Sequence, residues 1–128
     1  MAYKLLLVDD DKDTINNLEP LLAKEGYQAR AVYGGSEALG IMDEYKPDII
    51  LLDLMMPGMN GFDVLKEVRE KHKDKWYPVI ILSTRSEMDT LKKCYDLEAD
   101  FYLPKPVVID DLLRGIKTMI SLISARIT

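Results

Sequence analysis

The chain has 128 residues, 48% of them hydrophobic and 30% charged, a size and balance suited to one domain, 1–128, that buries its own core without disulfide or metal staples. Its net charge of −5 leaves no basic stripe to release counterions from a nucleic-acid backbone, and no apolar run approaches the roughly 20 residues of a membrane helix. A lone cysteine and an N-terminus, Met-Ala-Tyr-Lys, that leads straight into a strand rather than a signal peptide are what a reducing, cytoplasmic setting predicts.

In chain order, Lys4 to Val8 is a short apolar run closed by Asp9-Asp10-Asp11 and predicts strand 1. From about Asp13 the spacing Ile15, Leu18, Leu21, Leu22 is helical; Gly26 is placed to cap its end, and Pro20 lies inside, where it removes one backbone bond and should bend the helix. Tyr27 to Val32 is a weaker strand suited to an edge. After Gly34-Gly35, Ser36 is a candidate cap for a helix carrying Ala38, Leu39 and Met42, and Pro47 ends that connection.

Ile49-Ile50-Leu51-Leu52 between two aspartates suits a strand covered on both faces. Its last residue is Asp53, and Met55 to Gly61, punctuated by Pro57, Gly58 and Gly61, cannot continue it. Phe62, Val64, Leu65 and Val68 mark the next helix, which runs into the charged stretch from Glu70 to Lys75, where His72 reads as solvated. Pro78 to Leu82 is strand 4, ending at Ser83. Ser86-Glu87-Met88-Asp89 has the form of a capping box before a helix with Leu91, Cys94 and Tyr95 inward or at its margins, Cys94 as a small buried hydrophobe. Phe101 to Leu103 is strand 5, ended by Pro104-Lys105-Pro106. A wide stripe from Ile109 to Ile123 forms the last helix, with Asp110 and Asp111 complementing the dipole of its first turn.

Five strands alternating with five helices, with strands 1, 3 and 4 apolar throughout, imply an α/β fold: a doubly wound, five-stranded parallel sheet with helices on both faces. The order 2-1-3-4-5 puts the polar strands at the edges and a switch point between strands 1 and 3. Asp9, Asp10 and Asp53 then converge on one crevice at the carboxyl ends of those strands. Two carboxylates about 5 Å apart repel by roughly 3 kcal/mol at an effective dielectric of 20, and a hard divalent cation removes that penalty. Oxygen-only ligation with room for water suits Mg²⁺, with Mn²⁺ a substitute in vitro. A carboxylate held beside a phosphate donor can attack phosphorus and become an acyl phosphate; Ser83 offers a hydroxyl and Lys105 a cation to the incoming oxygens.

The set Val8-Asp9-Asp10, Asp53 to Gly61, Ser83, and Tyr102-Leu103-Pro104-Lys105-Pro106 resembles the receiver domain of two-component response regulators, chemotaxis regulators among them, over essentially the whole chain. The resemblance implies that Asp53 is the phosphoacceptor, that Asp10 and the backbone carbonyl of Met55 ligate Mg²⁺, and that Asp9 holds the metal mostly through water. It implies Ser83 and Tyr102 as a switch pair, Lys105 as the phosphate-sensing lysine, and an output surface on helix 4, strand 5 and helix 5. The implied donor is a phosphohistidine on a sensor kinase or phosphotransfer protein, and the signal passes to a protein target or an attached output domain. On this reading the chemistry is self-catalysed phosphoryl acceptance and autodephosphorylation, not enzymatic turnover. Thr84 stands where the family usually has a small residue, Glu98 where glycine is common, and Val108 where an Asp-like cap often opens the last helix. Thr84, Met55 and Arg85 are placed at the mouth of the site and bear on how long the phosphoryl group lasts.

Three other readings fit less well. A dehalogenase-like hydrolase also uses a strand-end Asp with Mg²⁺, but Asp9 to Thr14 lacks the Asp-x-Asp-x-Thr spacing, and the chain leaves no room for a cap. A calcium loop from Asp9 would have Thr14 at its glycine position and Pro20 at its bidentate glutamate. A module that had lost phosphorylation would not need Asp9, Asp10, Asp53, Ser83 and Lys105 together.

Overall fold

The computed structural model describes residues 2–84 and 87–127. Strands β1 (Lys4–Val8), β2 (Gln28–Val32), β3 (Ile49–Asp53), β4 (Val79–Ser83) and β5 (Phe101–Pro104) alternate with helices α1 (Lys12–Lys24), α2 (Gly35–Tyr45), α3 (Gly61–Lys71), α4 (Met88–Asp96) and α5 (Ile109–Ile127). All pairings are parallel, in the order β2-β1-β3-β4-β5, as the apolar patterning predicts.

The two-residue period of the strands divides the core. Leu6, Val8, Ile50, Leu52, Val79 and Ile81 pack on α2, α3 and α4, while Leu5, Leu7, Ile49, Leu51, Ile80 and Leu82 pack on α1 and α5. Every residue of β3 and β4 is buried, which is why those strands carry no alternation. Register aligns the strand ends: Val8 lies opposite Leu52, Asp53 opposite Leu82 and Ser83 opposite Pro104. Residues that follow in each chain segment therefore meet at one rim.

Several local expectations change. Ser36 is not a cap; α2 starts at Gly35 with Gly34 as the preceding extended residue, and at Gly35 a Cβ would stand 2.7 Å from a Val64 methyl and 2.9 Å from Met59, so the position takes glycine. Helix α1 begins at Lys12, capped by Asp11, and continues through Pro20 to Lys24, with Gly26 just beyond its end at φ 93. Strand β2 begins one residue after Tyr27, and β5 includes Pro104. Tyr95 faces outward, about half exposed. His72 is not solvated: its side chain is 15% exposed, edge-on to Tyr77 and with Nδ1 3.7 Å from Asp43. The expected cap Ser86 lies outside the described residues, and Glu87 is the residue preceding α4. Among the described residues no helix is long and apolar enough to cross a membrane.

Candidate phosphoacceptor site

Asp9 follows β1 and is held from both sides. Its Oδ1 accepts from the Asp11 backbone N–H at 2.9 Å, and its Oδ2 accepts from Lys105 Nζ at 2.7 Å. Asp11 is itself fixed as the α1 cap, accepting from Asp13 N–H and from the Thr14 hydroxyl. The sequence reading, which started α1 near Asp13, missed that role; the signal was an Asp with an acid two residues on and a threonine three residues on. Asp10 is exposed beside this locked neighbour.

Asp53 ends β3 with only 4% of its surface exposed. Its Oδ1 accepts from the Met55 backbone N–H at 3.3 Å and lies 3.6 Å from Lys105 Nζ. The loop beyond returns immediately into α3: Gly61 N–H donates to the Leu54 carbonyl, and a Cβ at Gly61 would stand 2.5 Å from the Asp53 carbonyl oxygen, so only glycine fits. Asn60 and Asp63 form a reciprocal capping box that fixes this helix start.

Carboxylate oxygens of Asp9, Asp10 and Asp53 lie within 4.8 Å of one another. Burial, and then the charge of Asp9, push the Asp53 carboxyl up to about 6, against the opposing pull of Lys105. Burial disfavours the charged Lys105 ammonium, but its hydrogen bond to Asp9 and the charges of Asp53 and Asp9 outweigh this, and its pKa is raised. The three acids with one lysine carry an excess of negative charge on hard oxygen donors, so the arrangement fits a divalent cation.

Ser83, fully buried, ends β4 beside β3, and Thr84 follows it at the surface. Tyr102 is partly buried in β5 against the core under α2, α3 and α4, with its hydroxyl oxygen shielded. Met55 stands 49% exposed at the rim. The structure thus gathers Asp9, Asp10, Asp53, Ser83, Thr84 and Lys105 at one sheet edge; Arg85 lies outside the described residues. A groove of about 550 Å³ opens there between α1 and the start of α5, its wall running from Asp11, Thr14 and Thr84 past Lys105 to Leu18 and Ile109.

The sequence matches the family model described as "Response regulator receiver domain" over residues 5–117. The chain belongs to that family. Among solved receiver structures it resembles chemotaxis protein CheY4 of Vibrio cholerae, with 28% identity and a TM-score of 0.87 over 93% of this chain and 99% of that one. It is similar to the receiver domain of Francisella response regulator 1452, with 30% identity and a TM-score of 0.84 over 91% of this chain and 95% of that one. At 22% identity it shares the fold of the BeF3-activated receiver domain of Klebsiella pneumoniae RstA, with a TM-score of 0.83 over 91% of this chain and 97% of that one. This receiver domain therefore has its place in two-component signalling.

The raised Asp53 pKa makes a stability prediction for the receiver without metal. The folded chain holds a proton on Asp53 up to about pH 6, whereas the unfolded carboxyl, at 3.8, has lost it well before. Between those values the folded state binds more protons than the unfolded one, so this group's contribution to stability falls as pH rises from about 4 to 6 and stays low above that. Asp53→Asn should therefore be more stable than wild type at pH 8 in chelator, by about 1–2 kcal/mol after allowance for screening, and match it near pH 4. Urea denaturation at the two pH values checks this; an advantage that persists unchanged at pH 4 would show that charge at Asp53 is not its source.

Proposed function

We propose that the domain accepts a phosphoryl group on Asp53 from a phosphohistidine of a sensor kinase or phosphotransfer protein, with Mg²⁺ bound. The observation that carries this is the buried Asp53 carboxylate within 4.8 Å of two further carboxylates and 3.6 Å from the Lys105 ammonium. Asp9, Asp10, Asp53 and the Met55 carbonyl would hold Mg²⁺ or, in vitro, Mn²⁺. Such a cation would neutralise the acids and withdraw charge from the phosphoryl oxygens.

In the transfer, an Asp53 oxygen forms a bond to phosphorus while the bond from phosphorus to the donor imidazole nitrogen breaks, its electron pair staying on that nitrogen. Asp53 has to be ionised for this attack; its carboxyl is pushed up to about 6 in the metal-free domain, and a bound cation would lower it, so acceptance should fall with dropping pH at a point below 6 that moves down as Mg²⁺ is raised. Lys105, hydrogen-bonded to Asp9 and 3.6 Å from Asp53, would pair with a phosphoryl oxygen; Ser83 would donate its hydroxyl to another. The groove beside Lys105, with Leu18, Leu21 and Ile109 along it, offers an apolar flank to a protein donor reaching Asp53. Movement of Ser83 toward the phosphoryl group would be read through Tyr102 on the face of α4, β5 and α5, and there a target or output domain would distinguish the two states.

The test is mass spectrometry after treatment with a small acyl phosphate. One phosphoryl group is expected on wild type with Mg²⁺, and none without Mg²⁺ or on Asp53→Asn. Labelling retained by Asp53→Asn would place the acceptor elsewhere and remove the basis of the reading.

A further inference from the structure

On the assumption that Asp53 is the acceptor, we infer that Arg69 is the positioning residue that couples the acceptor helix α3 to the α4–β5 turn, and through it to Tyr102. Its side chain is only 15% exposed at the far end of α3, and its guanidinium binds three separate parts of the chain. Nη1 donates to the Tyr77 carbonyl at 2.7 Å, just before β4. Nε and Nη2 both donate to the Glu98 carbonyl, at 3.1 and 2.8 Å. Nη2 also pairs with Asp100 Oδ2 at 2.8 Å, and that same oxygen accepts from the Val79 N–H. A planar fork of donors makes this possible; no other side chain could hold all three.

The grip falls on a strained place. Glu98 has φ 65, a left-handed conformation that costs a residue with a Cβ but not glycine. Without glycine the turn needs an outside hold, and Arg69 supplies two hydrogen bonds to its carbonyl. Asp100, two residues on, leads into β5 and Tyr102. A second contact lies nearer the acceptor, where Lys93 Nζ of α4 sits 4.3 Å from the ring centroid of Phe62 in the first turn of α3.

The other end of α3 is pressed against the acceptor itself. Gly61 has no space for even a methyl group beneath the Asp53 carbonyl, and its N–H is bound to Leu54. A shift of the Asp53–Leu54 backbone therefore has to move α3, and a shift of α3 has to drag or release the Glu98 carbonyl. Close-packed contacts that cannot deform gradually make the path all-or-none rather than graded.

The experiment follows backbone amide shifts on addition of BeF₃⁻ with Mg²⁺ to wild type, Arg69→Ala, Arg69→Lys and Glu98→Gly. In Arg69→Ala, changes at 53–56 should keep their wild-type size, whereas those at 97–102 should shrink about twofold to tenfold. Lysine retains the charge facing Asp100 but not the double hold on Glu98, so Arg69→Lys should lie between and settles the question if the alanine variant does not fold. Glu98→Gly relieves the left-handed strain but keeps the carbonyl that Arg69 binds, so it should raise stability and leave the response at 97–102 at its wild-type size. A purely structural role for Arg69 would scale both groups of shifts alike, and equal responses in Arg69→Lys and wild type overturn the inference. No response at 53–56 in wild type would instead overturn the acceptor reading, and this inference with it.

Discussion

Asp10→Ala is expected to weaken Mg²⁺ binding by on the order of a hundredfold, with little loss of fold stability. Asp9 is occupied by Lys105 and by the Asp11 N–H, and Asp53 is the buried strand-end group whose protonation competes with metal. Asp10 is the exposed member of the cluster, so its oxygen reaches solvent and a metal without first giving up the bonds that hold Asp9. Removing it takes away one of three charges that, at 4.8 Å, repel pairwise by roughly 3 kcal/mol at an effective dielectric of 20. The metal-free domain should hence be no less stable, while the bound cation loses a full charge. Calorimetric titration of both proteins with Mg²⁺ measures the difference; superimposable titrations would mean that another group is the ligand. Phosphoryl acceptance should fall in parallel and recover partly as Mg²⁺ is raised, since the attacking carboxylate remains.

The parts of this fold legible in the sequence were those in which neighbours along the chain carry the physics. Unbroken apolar runs at 49–52 and 79–82 announce strands buried on both faces, and an acid or hydroxyl directly after such a run must sit at the sheet's carboxyl edge. Parallel register then brings Asp9, Asp53 and Ser83 together without further information. What escaped was set by partners distant in sequence. Ser36 is a sound cap by local chemistry, yet α2 begins one residue earlier, at Gly35, where Val64 and Met59 leave no room for a Cβ. His72 carries no local mark of burial; its ring lies edge-on to Tyr77 from the connection to β4, with Asp43 of α2 at 3.7 Å. Arg69 carries no mark in the sequence of the role that Glu98 and Asp100 give it in the fold. The partner of Lys105 was not legible either: its shorter contact is to Asp9, across 96 residues of sequence, with Asp53 at 3.6 Å.

Thr84→Ala is expected to speed both loading and loss of the phosphoryl group, by about tenfold if 1.4 kcal/mol of barrier is involved. An acyl phosphate is hydrolysed when water attacks phosphorus in line with the Asp53 oxygen, and the groups at the rim decide whether that line is open. Thr84 is exposed directly after the buried Ser83 and shares the wall of the groove with Lys105 and Asp11. Its β-branched side chain has few rotamers with which to move aside. Met55, two residues after Asp53, is 49% exposed and is a second candidate for hindering water. Alanine at 84 removes one of these obstacles without touching a carboxylate, the lysine or the Ser83 hydroxyl. The opposing effect would come from the Thr84 hydroxyl, which is able to orient a water and so assist its attack. Phosphate release from the two phosphorylated proteins, followed in excess Mg²⁺, separates the effects by sign. Faster release from Thr84→Ala supports crowding; slower release means that the hydroxyl assists hydrolysis and overturns crowding.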